Sequence, residues 1–301
     1  MVQNVLGIGF YLLSLQINIC EARFSLIMER DNHGFKIRFV LAVLLCFWCL
    51  LVSAQDNSKA YRNAVPNSYN FWFYRPDEDE SDGVHRPLLV FLHGASLCGK
   101  DLNRVKKYGP MDALKRGRAI DCYVLAPQNP GGSWNPEKVM RLVEWAEKNF
   151  NVDSDRIYVY GMSLGGYGTI DVCATYPDRI AAGLAMCGGG TVKDLSGLSR
   201  LPMWIVHGTA DRAVPVSASD RVVEAIKATG DDSRLIYTRL KGIDHGRPSR
   251  VFYMYQTYDW MFSHSLKDEG RPVNRDFEIT PELMNDAYKD LGRGANMGVY
   301  E

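Results

Sequence analysis

The chain of 301 residues is 46% hydrophobic and 23% charged, an ordinary balance for one large α/β domain with its own core. Its 35 Lys and Arg are matched by 35 Asp and Glu, so the formal net charge is zero and no basic stripe marks it for nucleic acid. No internal repeat, metal-ligand cluster or phosphate loop stands out; the run Gly188-Gly189-Gly190 lacks the helix start that phosphate binding needs.

At the N-terminus, Arg30, Lys36 and Arg38 precede an apolar run from Phe39 to Val52, closed by the small residues Ser53 and Ala54 before Gln55. This is the layout of a secretory signal peptide read from Met28. The run has 14 residues, short of the roughly 20 that span a bilayer. Export, to a periplasm or the exterior, is therefore the expectation, with a membrane anchor the minor alternative and no stable span expected in the mature chain. A second apolar stretch, Val5 to Leu15, has no preceding positive charge and fits a start codon at Met28. Cys20, Cys46 and Cys49 fall in this removable region. Of the other four, Cys122 and Cys187 adjoin apolar strands and Cys173 a helix, where a cysteine acts as a small hydrophobe. Cys98 lies in a loop, and no bridge is assigned.

In chain order, 69–74 reads as a strand, 77–83 as a solvated hairpin loop, and 88–92 as a buried strand leading to helical segments near 101–116. Strand 122–126 runs into a Pro/Gly loop at 127–136. Helix 137–150 follows, with Val139, Leu142, Val143, Ala146 and Phe150 on one side. Strands at 156–160, 184–187, 202–206 and 235–240 alternate with helices after 163, near 218–228 and near 249–262. Such alternation implies a mostly parallel sheet with helices on both faces and a ligand cleft at the carboxyl ends of the strands. Only 14 residues, Gly188 to Leu201, join two of these strands. A large helical cap has no room there, and the cleft should be open.

The chemistry lies at those carboxyl ends. Gly161-Met162-Ser163-Leu164-Gly165 sits between strand and helix, the context a nucleophile elbow requires. Its glycines remove Cβ atoms where strand and helix converge, so Ser163 can hold a strained backbone. Strand 88–92 ends in His93-Gly94-Ala95-Ser96, so the backbone N–H groups of Ala95 and Leu164 are the expected oxyanion donors. Asp211, in His207-Gly208-Thr209-Ala210-Asp211, is the expected acid and His245 the general base. His33, His85 and His264 lie in weaker places. His93 and His207 read as buried supports of their loops, and Asp244 is too near His245 in sequence to face it. Trp134, in the loop before helix 137–150, either packs that loop or presents an exposed ring to substrate.

The order Ser163, Asp211, His245, with the phrases Phe91-Leu92-His93-Gly94, Ala126-Pro127-Gln128 and Gly161-Met162-Ser163-Leu164-Gly165-Gly166-Tyr167-Gly168, resembles the α/β-hydrolase superfamily over about residues 87 to 262. Within it the chain is similar to phospholipase/carboxylesterase, dienelactone-hydrolase-like, and feruloyl and acetylxylan esterase groups, and to prolyl-oligopeptidase-type catalytic domains. The resemblance implies a serine carboxylic-ester hydrolase acting through an acyl-enzyme, with no cofactor or metal required; the uncovered cleft and an exposed Trp134 lead to the expectation of short-acyl or aromatic esters, including polysaccharide-linked ones. The residues after Ala95 lack the glycine-rich loop of some lipases. A serine peptidase and a non-catalytic carbohydrate-binding homologue are the alternatives; no propeller domain accompanies the first, and the intact residues argue against the second. The expected organisation is a targeting region at 1–54 with the signal peptide at 28–54, a catalytic domain at 55–266 and a polar tail at 267–301.

Overall fold

Eight strands form one sheet in the order β1-β2-β4-β3-β5-β6-β7-β8 in the computed structural model, which describes residues 57–76 and 83–291. The strands are β1 (Ser58–Tyr61), β2 (Asn70–Tyr74), β3 (Arg86–Leu92), β4 (Tyr123–Gln128), β5 (Val152–Met162), β6 (Ala182–Met186), β7 (Met203–Gly208) and β8 (Leu235–Leu240). Strand β2 runs against both its neighbours, and every pair from β4 to β8 is parallel. Strands β3, β4, β6 and β7 are buried at every residue, which is why they read as unbroken apolar runs rather than alternating ones. The signal peptide expected at 28–54 and most of the loop expected at 77–83 lie outside the described residues.

The described residues hold six α-helices: α1 (Pro110–Lys115), α2 (Pro136–Asn149), α3 (Leu164–Thr175), α4 (Ser217–Ala228), α5 (Tyr255–Phe262) and α6 (Pro281–Asn285). The start of α2 is fixed locally, by Pro136 at its first position and by Asn135, whose side chain accepts from Lys138 N at 2.9 Å. Strand alternation divides the core in two. Leu88 and Val90 join Phe71, Leu142, Ile170 and Ile205 on one face, and Leu89 and Phe91 join Tyr160, Trp204, Phe252 and Trp260 on the other.

The helix expected near 249–262 is broken. A 3-10 segment, Arg247–Tyr253, precedes α5, and Met254 between them is extended at φ −81° and ψ 123°. Side chains replace the helical bonds: Thr257 Oγ1 donates to Val251 O at 3.1 Å and Tyr258 OH to Phe252 O at 2.5 Å. Strand β1 is an edge strand with two exposed residues, too polar to show in the sequence pattern. Beyond 266 the chain continues to pack: Ile279, Met284 and Ala287 are buried, and Arg271 donates to the carbonyls of Pro177, Ile180 and Ala181. Cys98, Cys122, Cys173 and Cys187 are all unpaired. Among the described residues no helix is long and apolar enough to cross a membrane.

Candidate active site

At the end of β5 the backbone turns sharply at Ser163, which has φ 59° and ψ −123°, and α3 begins at the next residue. A non-glycine residue there costs about 1–3 kcal/mol and persists only when its surroundings hold it. Ser163 N donates to Met186 O at 2.9 Å, and Tyr167 N donates to Ser163 O at 3.0 Å. A Cβ on Gly165 would stand 1.7 Å from Leu92 O, and one on Gly161 2.4 Å from the same oxygen. The glycines of the motif are thus the condition for β3 to approach the turn. Leu164 N precedes the first helical bond and belongs to the unpaired N-terminal donors of α3.

Asp211 and His245 meet as the sequence predicts. The loops after β7 and β8 are joined by Thr209 N to Leu240 O at 2.9 Å, Ala210 N to Ile243 O at 3.0 Å and Gly242 N to Thr209 Oγ1 at 2.9 Å. That framework brings Nδ1 of His245 to 2.6 Å from Asp211 Oδ2. The Asp211 side chain is wholly buried and that of His245 is 27% exposed. Desolvation alone would raise the Asp211 carboxyl; the hydrogen bonds from His245, Val214 N and Ala213 N outweigh it and hold the group below its ordinary value. Asp244 caps its own turn, its Oδ1 accepting from Gly246 N and Arg247 N at 3.1 Å each. Ser163, Asp211 and His245 follow β5, β7 and β8, so all three leave the same edge of the sheet.

On the other side of Ser163, Ala95 opens a short 3-10 turn after β3, and Gly94 N donates to Tyr108 OH at 2.7 Å. His93 is fixed and neutral, because burial pushes it down to about 4. Its Nδ1–H donates to Gly94 O at 2.8 Å, and its Nε2 accepts from Asn129 N at 3.0 Å. The exposed Trp134 ring is not found. Trp134 is 3% exposed, its Nε1 donates to His93 O at 3.2 Å, and its ring packs edge-on to His93 and Tyr69. The apolar ring gains more by filling the gap over Gly168 than by standing in water. It supports the loops and offers no face to a ligand.

No family model matches the chain. Acetylxylan esterase A of Emericella nidulans is 39% identical over 178 residues, covering 51% of this chain and 56% of that one. A solved thermostable esterase is 27% identical with a TM-score of 0.57, covering 70% of this chain and 64% of that chain. A ferulic acid esterase from Anaeromyces mucronatus, solved with ferulic acid, shares 13% identity and a TM-score of 0.51 over 69% of this chain and 89% of its own, a likeness of fold. The chain has the α/β-hydrolase fold. It spans little more than half the length of the acetylxylan esterase it matches.

Two residues stand closer to Asp211 than their sequence reading, as a small hydrophobe and a loop support, placed them. Cys187, one residue beyond β6, has φ 50°, and its Sγ lies within 4.8 Å of both the Asp211 carboxylate and the His245 ring nitrogen. Burial pushes its thiol well up, so it stands there as a neutral neighbour. Nε2 of His207 lies 3.3 Å from Asp211 Oδ2. The signal for both was position, each at the end of a strand beside the acid strand or on it. Elsewhere, a cleft of about 680 Å³ lined by His85, Phe150 and Lys267 opens where β3 and β5 begin. That is the edge opposite to where such sheets bind ligands.

Proposed function

We propose that the chain is a serine carboxylic-ester hydrolase acting on short-acyl or aromatic esters, including those carried by polysaccharide. The observation that carries this is the Asp211–His245 hydrogen bond of 2.6 Å, made by a buried carboxylate at the sheet edge where Ser163 is held at positive φ. Ser163 Oγ attacks the ester carbonyl while Nε2 of His245 takes its proton. Asp211 keeps the ring's other proton on Nδ1 and stabilises the imidazolium. Leu164 N–H and Ala95 N–H receive the oxyanion, at about 3 kcal/mol per donor. His245 then protonates the departing alcohol, and water repeats the attack to free the acid. Each step uses side chains and backbone donors of this chain. The likeness to acetylxylan esterase A supports the carbohydrate-linked substrate.

The test is labelling by a fluorophosphonate with mass mapping of the modified peptide, beside release of acetate from acetylated xylan. Label on Ser163 and turnover that falls by on the order of 10⁴ in Ser163→Ala support the proposal. Near-normal turnover in the folded variant refutes it. We infer further that residues 28–54 direct export. Intact-mass analysis of secreted protein should find a chain beginning near Gln55, and retention of 28–54 in that material would mean an anchor instead.

A further inference from the structure

Asp211 is shared. Its Oδ1 accepts from Ala213 N and Val214 N at 2.8 Å each, and its Oδ2 faces two imidazoles, His245 Nδ1 at 2.6 Å and His207 Nε2 at 3.3 Å. His207 is fully buried, and its Nε2 is also 3.0 Å from Val214 O. With two oxygen acceptors before it, Nε2 carries the ring's proton, and the neutral form is favoured because burial lowers the imidazole below its ordinary value. Nδ1 and Gly188 O each lie 2.7 Å from the buried Ser219 hydroxyl, whose single proton goes to one of them. Gly188 in turn presses on the helix behind Ser163: a Cβ on it would stand 2.5 Å from Gly166 C and 2.7 Å from Tyr167 N. Polar contacts thus run from the acid through His207 to Ser219 and Gly188 O, and the Gly188 backbone packs against the start of α3.

We propose that His207 is a positioning residue that holds Asp211 on His245 and ties the acid loop to the helix behind Ser163. This rests on the reading of Ser163, Asp211 and His245 as a triad. The titratable groups about the carboxylate are His245 after β8, His207 on β7 and Cys187 after β6, with Asp244 near the thiol. Cys187 stays protonated and offers the same carboxylate only a weak S–H donor, so the N–H of His207 is the stronger side-chain donor that competes with His245 for Oδ2. Withdrawing it leaves a more basic carboxylate, which grips the imidazolium more firmly. The acid limb of the rate profile then moves to higher pH.

The experiment measures kcat, KM and the pH profile of kcat/KM with a soluble acetyl ester for His207→Phe, His207→Gln and each paired with Asp211→Asn. His207→Phe should lower kcat about tenfold with little change in KM and raise the acid limb by about half a pH unit. His207→Gln, which keeps an N–H, should recover part of both effects. In the Asp211→Asn background the His207 effect should vanish, because it acts through the carboxylate. A folded His207→Phe with wild-type kcat and an unmoved limb overturns the inference, and so does an undiminished effect in the Asp211→Asn background. If His207→Phe does not fold, Ser219→Ala, which withdraws the Nδ1 partner together with the contact to Gly188 O, must move the limb, and an unmoved limb there also overturns it. Ser163→Ala run alongside separates the two readings. If it retains turnover the triad fails; if it is inactive while the His207 variants match wild type, only the role of His207 fails.

Discussion

Trp134 lies against the bare backbone of Gly168, where an added Cβ would come within 2.7 Å of the ring. The pair locks the loop after β4 onto α3, and the indole N–H on His93 O carries the same contact to the loop after β3. Trp134→Ala should therefore cost about 3–5 kcal/mol, the usual loss for a buried large ring, seen as a lower denaturation midpoint. KM for a feruloyl ester and for an acetyl ester should change by the same factor. A selective rise for the ring-bearing ester would return Trp134 to the binding site.

Asp211→Asn should lower kcat on the order of 10⁴, since an amide facing Nδ1 favours the wrong imidazole tautomer. Asp244→Asn removes only a turn cap and should stay within about tenfold of wild type. Parallel kinetics on one acetyl ester decide the matter. The acid is misassigned if Asp244→Asn proves the more damaging of the two.

Folding stability should fall on acidification well above the carboxylate range. His93 in the folded chain binds its proton only near pH 4, against 6.5 for the free side chain, because burial opposes the charge and Nε2 is already taken by Asn129 N. The unfolded chain therefore takes up a proton that the folded one refuses. The stabilisation is complete above pH 6.5 and is lost as pH falls toward 4, a difference worth about 3 kcal/mol. His207 and His264, both also lowered chiefly by burial, act in the same sense. Urea denaturation at pH 7.5, 6, 5 and 4.5 tests this; a midpoint that stays level over that range contradicts it.

The strand-to-helix turn at Ser163 was legible in the sequence because its constraint is local. Gly161 and Gly165 are glycines for want of space beside Leu92 O, and a glycine shows in any sequence. Buried parallel strands likewise announce themselves as apolar runs. What stayed hidden depends on the far side of a contact. Whether Trp134 faces water is decided by Gly168, His93 and Tyr69, none of them its chain neighbour. The break at Met254 depends on Thr257 and Tyr258 taking carbonyls that a regular helix would use, and no hydrophobic period records that choice. His207 looked like a support and is one, yet its nearness to Asp211 follows from the bend after β7.

On the proposed reading, substrate choice is expected to follow from the short connection between β6 and β7. It holds one 3-10 segment, Ser196–Arg200, and Asp171 pins its start by accepting from Thr191 N at 2.7 Å and Val192 N at 3.2 Å. So anchored and so short, it cannot supply the apolar helical lid that would shelter a long acyl chain. The loop tip at Pro130 to Ser133, after β4 on the same edge of the sheet as Ser163, is exposed and carries no large apolar side chain. A long chain bound there would leave much of its surface in water, at about 0.8 kcal/mol forgone for each methylene left exposed. Acetyl, butyryl and feruloyl esters should therefore be cleaved with higher kcat/KM than a palmitoyl ester, and acetylated xylan should be attacked without an interfacial lag. Comparing the four soluble esters with an emulsified triglyceride on the mature protein makes the measurement. Preference for the emulsion would overturn this reading of the cleft and leave the assignment of Ser163, Asp211 and His245 standing.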